Sequence, residues 1–214
     1  MRGSVSFWSL WAPCYKRLVN INFYLPYGGE RRFRRECLSF AAPVRGERLL
    51  DICCGDGKFT SLIAELAGTG GYVIGIDSAG NALEITSRAL PDNRVSILRA
   101  RAEALPFGNG RFDKCFICLG LHHMTQPFRY GTLREARRVL ADGGKLFVFD
   151  FHYPDKKWGQ FISRFITGLD SNKEAVSMVE TWDLASEMEA AGLKVSRRKL
   201  IGGAVFQLLE AVSA

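Results

Sequence analysis

Short runs of branched apolar residues recur along the middle of this chain, separated by stretches in which apolar residues return at helical spacing. The runs at about 48–52, 72–77, 95–99, 113–119 and 145–151 predict strands buried on both faces. Helical spacing predicts helices at about 58–67, 79–90 and 129–140. Alternation of this kind argues for a parallel sheet with helices on both faces. Asp142-Gly143-Gly144 predicts a tight turn that ends one helix and launches the next strand. After Asp150 the pattern changes. A polar, aromatic segment (155–180) leads to a helix at about 181–191, stopped at Gly192. Strands at about 193–200 and 203–212 are joined through Ile201-Gly202-Gly203, a connection too short for anything but an antiparallel pair. The predicted architecture is α/β: a seven-stranded, mostly parallel sheet closed by an antiparallel C-terminal hairpin.

Residues 6 to 42 are different again, aromatic and basic, and fit two helices split by Pro26-Tyr27-Gly28-Gly29. Two units are therefore expected: a helical lid or substrate segment over 1–43, and a sheet domain over 44–214.

The segment Leu49-Leu50-Asp51-Ile52-Cys53-Cys54-Gly55-Asp56-Gly57-Lys58-Phe59-Thr60 concentrates the chemistry. A buried strand ends in an acid, a tight glycine turn follows, and a helix starts near Lys58. Such a unit brings bare backbone at a helix N-terminus close to a ligand. Further on, Ile74-Gly75-Ile76-Asp77 is a second short strand ending in an acid. Backbone amides at one turn and a carboxylate for ribose hydroxyls at the next are how an α/β sheet grips a nucleoside.

Composition adds boundaries. The chain has 214 residues and a formal net charge of +7, with much of the base in Arg31-Arg32-Phe33-Arg34-Arg35 and Arg197-Arg198-Lys199. These runs suit either a solvated helix face or a surface for anionic partners. Six cysteines show no pairing pattern, which predicts reduced thiols. Cys115 and Cys118 have the spacing of a metal or redox pair, but on one strand they point to opposite faces, so core packing is expected and no metal. No run approaches the roughly 18 apolar residues of a membrane span, and Lys16-Arg17 interrupts any signal-like N-terminal stretch. A cytoplasmic protein is expected, with room for peripheral contact at a membrane surface.

Together these residues resemble the class I S-adenosylmethionine-dependent methyltransferases. The likeness rests on Leu50–Gly57, on Gly75-Ile76-Asp77, and on Ala102-Glu103-Ala104-Leu105-Pro106-Phe107. It continues with Phe112-Asp113 and with Arg138-Val139-Leu140-Ala141-Asp142-Gly143-Gly144-Lys145-Leu146. Within that superfamily the chain is most similar to the ubiquinone and menaquinone biosynthesis C-methyltransferases, through Trp11-Ala12-Pro13-Cys14-Tyr15, the arginine cluster and Gly120-Leu121-His122-His123-Met124. Small phospholipid N-methyltransferases share the Trp-Ala-Pro-x-Tyr opening. The resemblance implies a Rossmann-like fold and S-adenosyl-L-methionine as cofactor. Three positions depart from the pattern. Cys53 replaces the first glycine of the loop, Arg101 replaces an acid or amide at the adenine, and His122-His123 replaces Arg-Asn.

Asp51 is expected to order the turn or meet the cofactor's ammonium group, and Asp77 to accept from the ribose hydroxyls or cap the next helix. Cys53, Gly55, Gly57, Thr60, Ser78, Arg101, Ala102, Glu103, Cys118 and Leu119 complete the expected cofactor contacts. His122, His123 and His152 follow strand C-termini on the ligand side, which suits either a base or an acceptor lining. Tyr15, Tyr24 and Tyr27, with Trp8 and Trp11, suit a lid over the acceptor or a helical core stripe. The expected activity is methyl transfer to a small, apolar or lipid-like acceptor, such as a quinol carbon or oxygen or a phospholipid amine. A cofactor-binding protein without turnover is one alternative. Nucleic-acid methylation is another, but nucleic acid is not expected as a partner, because no Asn/Asp-Pro-Pro-Tyr/Phe tetrapeptide is present to hold a flipped base.

Overall fold

The computed structural model describes residues 29–68, 70–79, 95–152, 182–202 and 204–214. The expected first helix, with Tyr15, Tyr24 and Tyr27, most of the helix at 79–90, and the polar segment of 155–180 lie outside the described residues. Within them run α1 (Glu30–Ala41), β1 (Arg48–Ile52), α2 (Lys58–Ala67), β2 (Tyr72–Asp77), β3 (Val95–Arg99) and β4 (Phe112–Cys118). A 3₁₀ turn (Leu121–His123), α3 (Gln126–Val139), β5 (Leu140–Phe151), α4 (Leu184–Ala190), β6 (Leu193–Ile201) and β7 (Phe206–Ser213) follow.

The seven strands form one sheet in the order β3-β2-β1-β4-β5-β7-β6. The pairs from β3 through β5 are parallel, and β7 runs antiparallel to both β5 and β6. The central strands are apolar on both faces because both faces are covered. Leu50, Ile52, Ile117 and Val148 pack beneath α3 and α4, while Leu49, Phe116, Phe147 and Phe149 pack beneath α1 and α2. Cys115 belongs to the first core and Cys118 to the second, as strand alternation requires. Among the described residues no helix is long and apolar enough to cross a membrane.

Two boundaries differ from the sequence pattern. Helix α3 starts at Gln126, ahead of its first buried apolar residue, because Pro127 in the first turn has its φ set for a helix start. The Asp142-Gly143-Gly144 turn lies inside β5 rather than before it. Phe112 pairs with Leu140 and Lys114 with Lys145, so the extra residues bulge out with Gly143 at φ 74°.

Chain order positions the site. From β1 the sheet grows one way through β2 and β3, then resumes on β1's other side with β4. The C-terminal ends of β1 and β4 therefore open a crevice where open α/β sheets bind ligands. Helix α1 is built into the wall beside it. Phe33, Cys37, Leu38 and Ala41 form its buried stripe, and the Phe33 ring lies 4.9 Å from that of Phe206 on β7. Removing a fully buried ring of this kind costs about 3–5 kcal/mol. Phe33→Ala should lower the stability read from denaturant unfolding by that amount.

Candidate active site

The turn after β1 is built around a buried acid. Asp51 is 1% exposed, and the hydroxyl of fully buried Thr60 donates to its Oδ2 at 2.6 Å. Asp51 Oδ1 is buried without a partner among the described residues. Burial pushes this carboxyl up to about 7, against the Thr60 hydrogen bond and the nearby Arg34 guanidinium. The chain then reverses through three left-handed residues, Cys53 (φ 63°), Gly55 (φ 53°) and Gly57 (φ 72°). Cys53 is the position at which the resembled family carries glycine, and the backbone has kept the glycine conformation at a cost of about 1 kcal/mol. Neighbouring glycines make room for the two cysteines. A Cβ on Gly120 would lie 2.9 Å from Cys53 Cβ, and one on Gly75 would lie 3.1 Å from Cys54 Cβ.

Asp77 closes the turn from the neighbouring strand. Its Oδ2 accepts from Gly55 N and its Oδ1 from Ala79 N, both at 2.9 Å. One oxygen thus makes the capping contact and the other braces the glycine turn, and each can still accept from a ligand hydroxyl.

Two adjoining volumes of about 530 and 580 Å³ share Cys53, Asp77, Ser78, His123 and Met124. The first extends past Ala100, Arg101, Ala102 and Glu103 to Phe128. The second extends past Gly55, Asp51 and Asp56 to Arg34, with Cys118, Leu119 and Gly120 along its other side. Arg101 donates through Nε to Glu103 Oε1 at 2.7 Å, and its guanidinium lies 5.8 Å from the Phe128 ring centre. The cation that departs from the family pattern therefore carries its own acid with it.

The histidines separate. His123 borders both volumes. His122 lies behind it, with ring centres 3.8 Å apart, and its Nδ1 is 2.7 Å from Oδ1 of fully buried Asp150. Asp150 Oδ2 also accepts from Leu121 N at 3.0 Å and Oδ1 from Phe151 N at 2.8 Å. A carboxylate so placed holds the His122 proton on Nδ1. His152 is tied elsewhere: its Nδ1 meets Ala204 O at 2.8 Å and it borders neither volume.

Of the residues expected at the cofactor, Asp51, Cys53, Gly55, Asp77, Ser78, Arg101, Ala102, Glu103, Cys118 and Leu119 all border the cleft. Gly57 and Thr60 do not. Gly57 is the N-cap of α2, and Thr60 spends its hydroxyl on Asp51. Sequence reasoning missed Arg34, Asp56, Met124 and Phe128. For Arg34 a signal existed, since it shares the helical stripe of Phe33, Cys37 and Ala41, whereas Arg31, Arg32 and Arg35 are exposed.

Comparison with known proteins bears on this geometry. A family model described as a methyltransferase domain matches residues 49–144. An uncharacterized methyltransferase of Synechocystis sp. is 32% identical over 204 residues, which is 95% of this chain and 93% of that one. The chain belongs to the class I S-adenosylmethionine-dependent methyltransferases. A second relative, the ubiquinone/menaquinone biosynthesis C-methyltransferase UbiE of Shewanella frigidimarina, is 35% identical over 138 residues, covering 63% of this chain and 54% of that one. The crystal structure of an S-adenosylmethionine-dependent methyltransferase from Aquifex aeolicus shares the fold, with a TM-score of 0.70 at 17% identity over 94% of this chain and 98% of that one.

The cofactor of this methyltransferase is S-adenosylmethionine, and the cleft fits it. The buried Asp51 Oδ1, without a partner among the described residues, is an acceptor suited to an ammonium group. Asp77 lies at the junction of the volumes, where a ribose would bridge an adenine side and an amino-acid side.

Asp51 titrates near 7 when folded and near 4 when unfolded. The folded state binds the extra proton between those values, so this group's contribution is complete below the unfolded pKa and is lost as pH rises through 7. The melting temperature of the ligand-free protein should therefore fall between pH 5 and pH 8, and Asp51→Asn should flatten that slope. An unchanged slope would assign the titration to another group. At the turn, Gly120→Ala should cost about 1–3 kcal/mol. Adding Cys53→Gly should recover most of the loss in denaturant unfolding, with the Ile117 Cγ2 contact at 3.3 Å remaining.

Proposed function

We propose that this methyltransferase acts on an apolar, quinol-type small molecule, with a ring carbon as the acceptor atom and His123 as the base. The observation that carries this reading is the tilted His122–His123 ring pair, in which Asp150 holds His122 from behind and His123 borders both volumes of the cleft. It is supported by the C-methyltransferase of quinone biosynthesis among the relatives.

The bound cofactor supplies a methyl group activated by attachment to a sulfonium. The protein's share is placement and proton handling. Asp77 and the glycine turn orient the ligand from the β1 and β2 sides, while Cys118 and Leu119 bound the cleft from the β4 side. Apolar Met124, Phe59 and Leu119 help to exclude water, which strengthens every polar contact inside. A ring carbon that gains a methyl group must lose its proton. His123 is the imidazole at the cleft, and His122, fixed by Asp150, limits the positions the His123 ring can take. For a lipid-like acceptor, the exposed Arg31, Arg32 and Arg35 on α1 give a cationic face for peripheral contact with an anionic membrane surface.

Incubation with methyl-labelled cofactor and a lipid extract should place label in the quinol fraction. Label confined to other fractions would reject the acceptor class. General-base catalysis contributes about 10²–10⁴-fold, so His123→Ala should lower the rate at least a hundredfold while S-adenosylhomocysteine still binds. Asp150→Asn should lower it less, and an intact rate in the His123 variant would assign the proton to another group.

A further inference from the structure

A second recess, of about 610 Å³, lies along α3 outside the cofactor cleft. Glu103 borders both, and it is the one described lining residue they share. Arg134, Arg137 and Arg138 of α3 line the recess, with Asn109 before β4 and Ser213 at the end of β7. Its acids are already engaged. Glu135 receives Arg138 Nε on one oxygen and Arg138 Nη2 on the other, both at 2.7 Å, and also Leu105 N at 2.8 Å. Glu103 holds Arg101 Nε at 2.7 Å. Arg138 spends its remaining nitrogen on Phe107 O at 2.8 Å and on Asn109 Oδ1 at 2.9 Å.

What the recess has left over is donors. A guanidinium only donates, so Asn109 turns its oxygen to Arg138 and keeps its amide hydrogens for another acceptor. Ser213 Oγ accepts from Arg137 Nε at 3.1 Å, which leaves its hydroxyl hydrogen to donate. Arg137 Nη2 lies 3.3 Å from Ala214 O, and a Cβ on Gly192 would come within 2.6 Å of its Nη1. The bare glycine thus gives this exposed guanidinium a fixed seat. Arg134, one turn earlier and also exposed, lies 5.9 Å from the Tyr130 ring centre.

We propose that this recess binds the phosphate group of a small phosphorylated molecule, at a site separate from the cofactor. Two guanidiniums, an amide and a hydroxyl are more donors than the two oxygens of a carboxylate can receive. A phosphate offers three oxygens and close to two negative charges, and it suits the guanidinium fork. The seat of Arg137 is ordered by the protein itself, which lowers the cost of fixing it when a ligand arrives.

Calorimetry with inorganic pyrophosphate, at constant ionic strength and with S-adenosylhomocysteine saturating the cleft, tests this without turnover. Arg134→Gln should weaken pyrophosphate about tenfold, as expected for a hydrogen bond to a charged group. Asn109→Asp keeps the acceptor for Arg138 but replaces the amide donors with a carboxylate, so it should fold normally and weaken pyrophosphate at least as much. S-adenosylhomocysteine affinity should stay within about twofold in both variants. Vesicles of phosphatidylcholine and phosphatidic acid present the same group on a lipid. Sedimentation with them that Asn109→Asp abolishes would place the phosphate on a headgroup, and pyrophosphate binding without sedimentation would identify a free phosphate ester. Pyrophosphate binding that both variants retain would reflect the general charge excess and overturn the proposal. Binding that S-adenosylhomocysteine displaces would place the anion in the cofactor cleft and overturn it too, as would no binding of either probe.

Discussion

The site depends on a carboxylate buried where it is not fully satisfied. Asp51 lies next to the end of a strand paired on both sides, its side chain is buried at the cleft wall, and one of its oxygens has no partner among the described residues. Retaining that oxygen costs stability, because a buried polar atom without a hydrogen bond forfeits its hydration. Thr60, nine positions along, anchors the other oxygen and so dictates how quickly the chain must reverse into α2. The left-handed conformations of Cys53, Gly55 and Gly57 follow from that short return. Strain and an unsatisfied acceptor at one turn are what a site shaped for its ligand contains, and the packed sheet around it supplies the stability that both consume.

The two cysteines show how a fold absorbs a departure from its pattern. Each thiol sits against a glycine on a neighbouring element, Cys53 against Gly120 and Cys54 against Gly75. Burial pushes the thiols of Cys53, Cys54 and Cys115 well above the ordinary cysteine range, so they stay protonated and act as small packing groups. The same compensation appears at Arg101. Its guanidinium is paired with Glu103, two residues on, so that end of the cleft retains a carboxylate beside the cation. At the other end of the cleft the charge arrangement is reversed: among the described lining residues, three acids face one guanidinium drawn from a helix outside the matched methyltransferase domain.

Much of this was legible in the chain. Runs apolar on both faces, such as Leu49–Ile52 and Phe116–Cys118, can only be strands covered by helices on both sides. The short Ile201–Gly203 link forces an antiparallel ending. Asp51, Gly55 and Asp77 announced a nucleoside site because their chemistry is local: an acid at a strand end and a turn that needs positive φ. The bulge within β5 was not legible. Asp142-Gly143-Gly144 has the composition of a turn, and only the register against β4 makes it an interruption of a strand.

Three histidines behind strand ends looked alike along the chain, and their different fates show where sequence reasoning stops. Local pattern determined that each would emerge on the ligand side, since strand direction sets which end of the sheet a following residue joins. Tertiary packing then decided that His123 borders the cleft, that His122 is bound to Asp150 from a different strand, and that His152 turns to the 204–205 link. Arg34 follows the same logic: helical spacing put it on the buried stripe, but only the packing of α1 against α2 turned that position into a cleft wall. Sequence by itself determined the fold class, the glycine turn and its acids, because these rest on backbone preference and short-range hydrogen bonding. The partners of each charged side chain, and so the charge balance of the site, come from residues tens of positions apart, and only the folded chain brings them together.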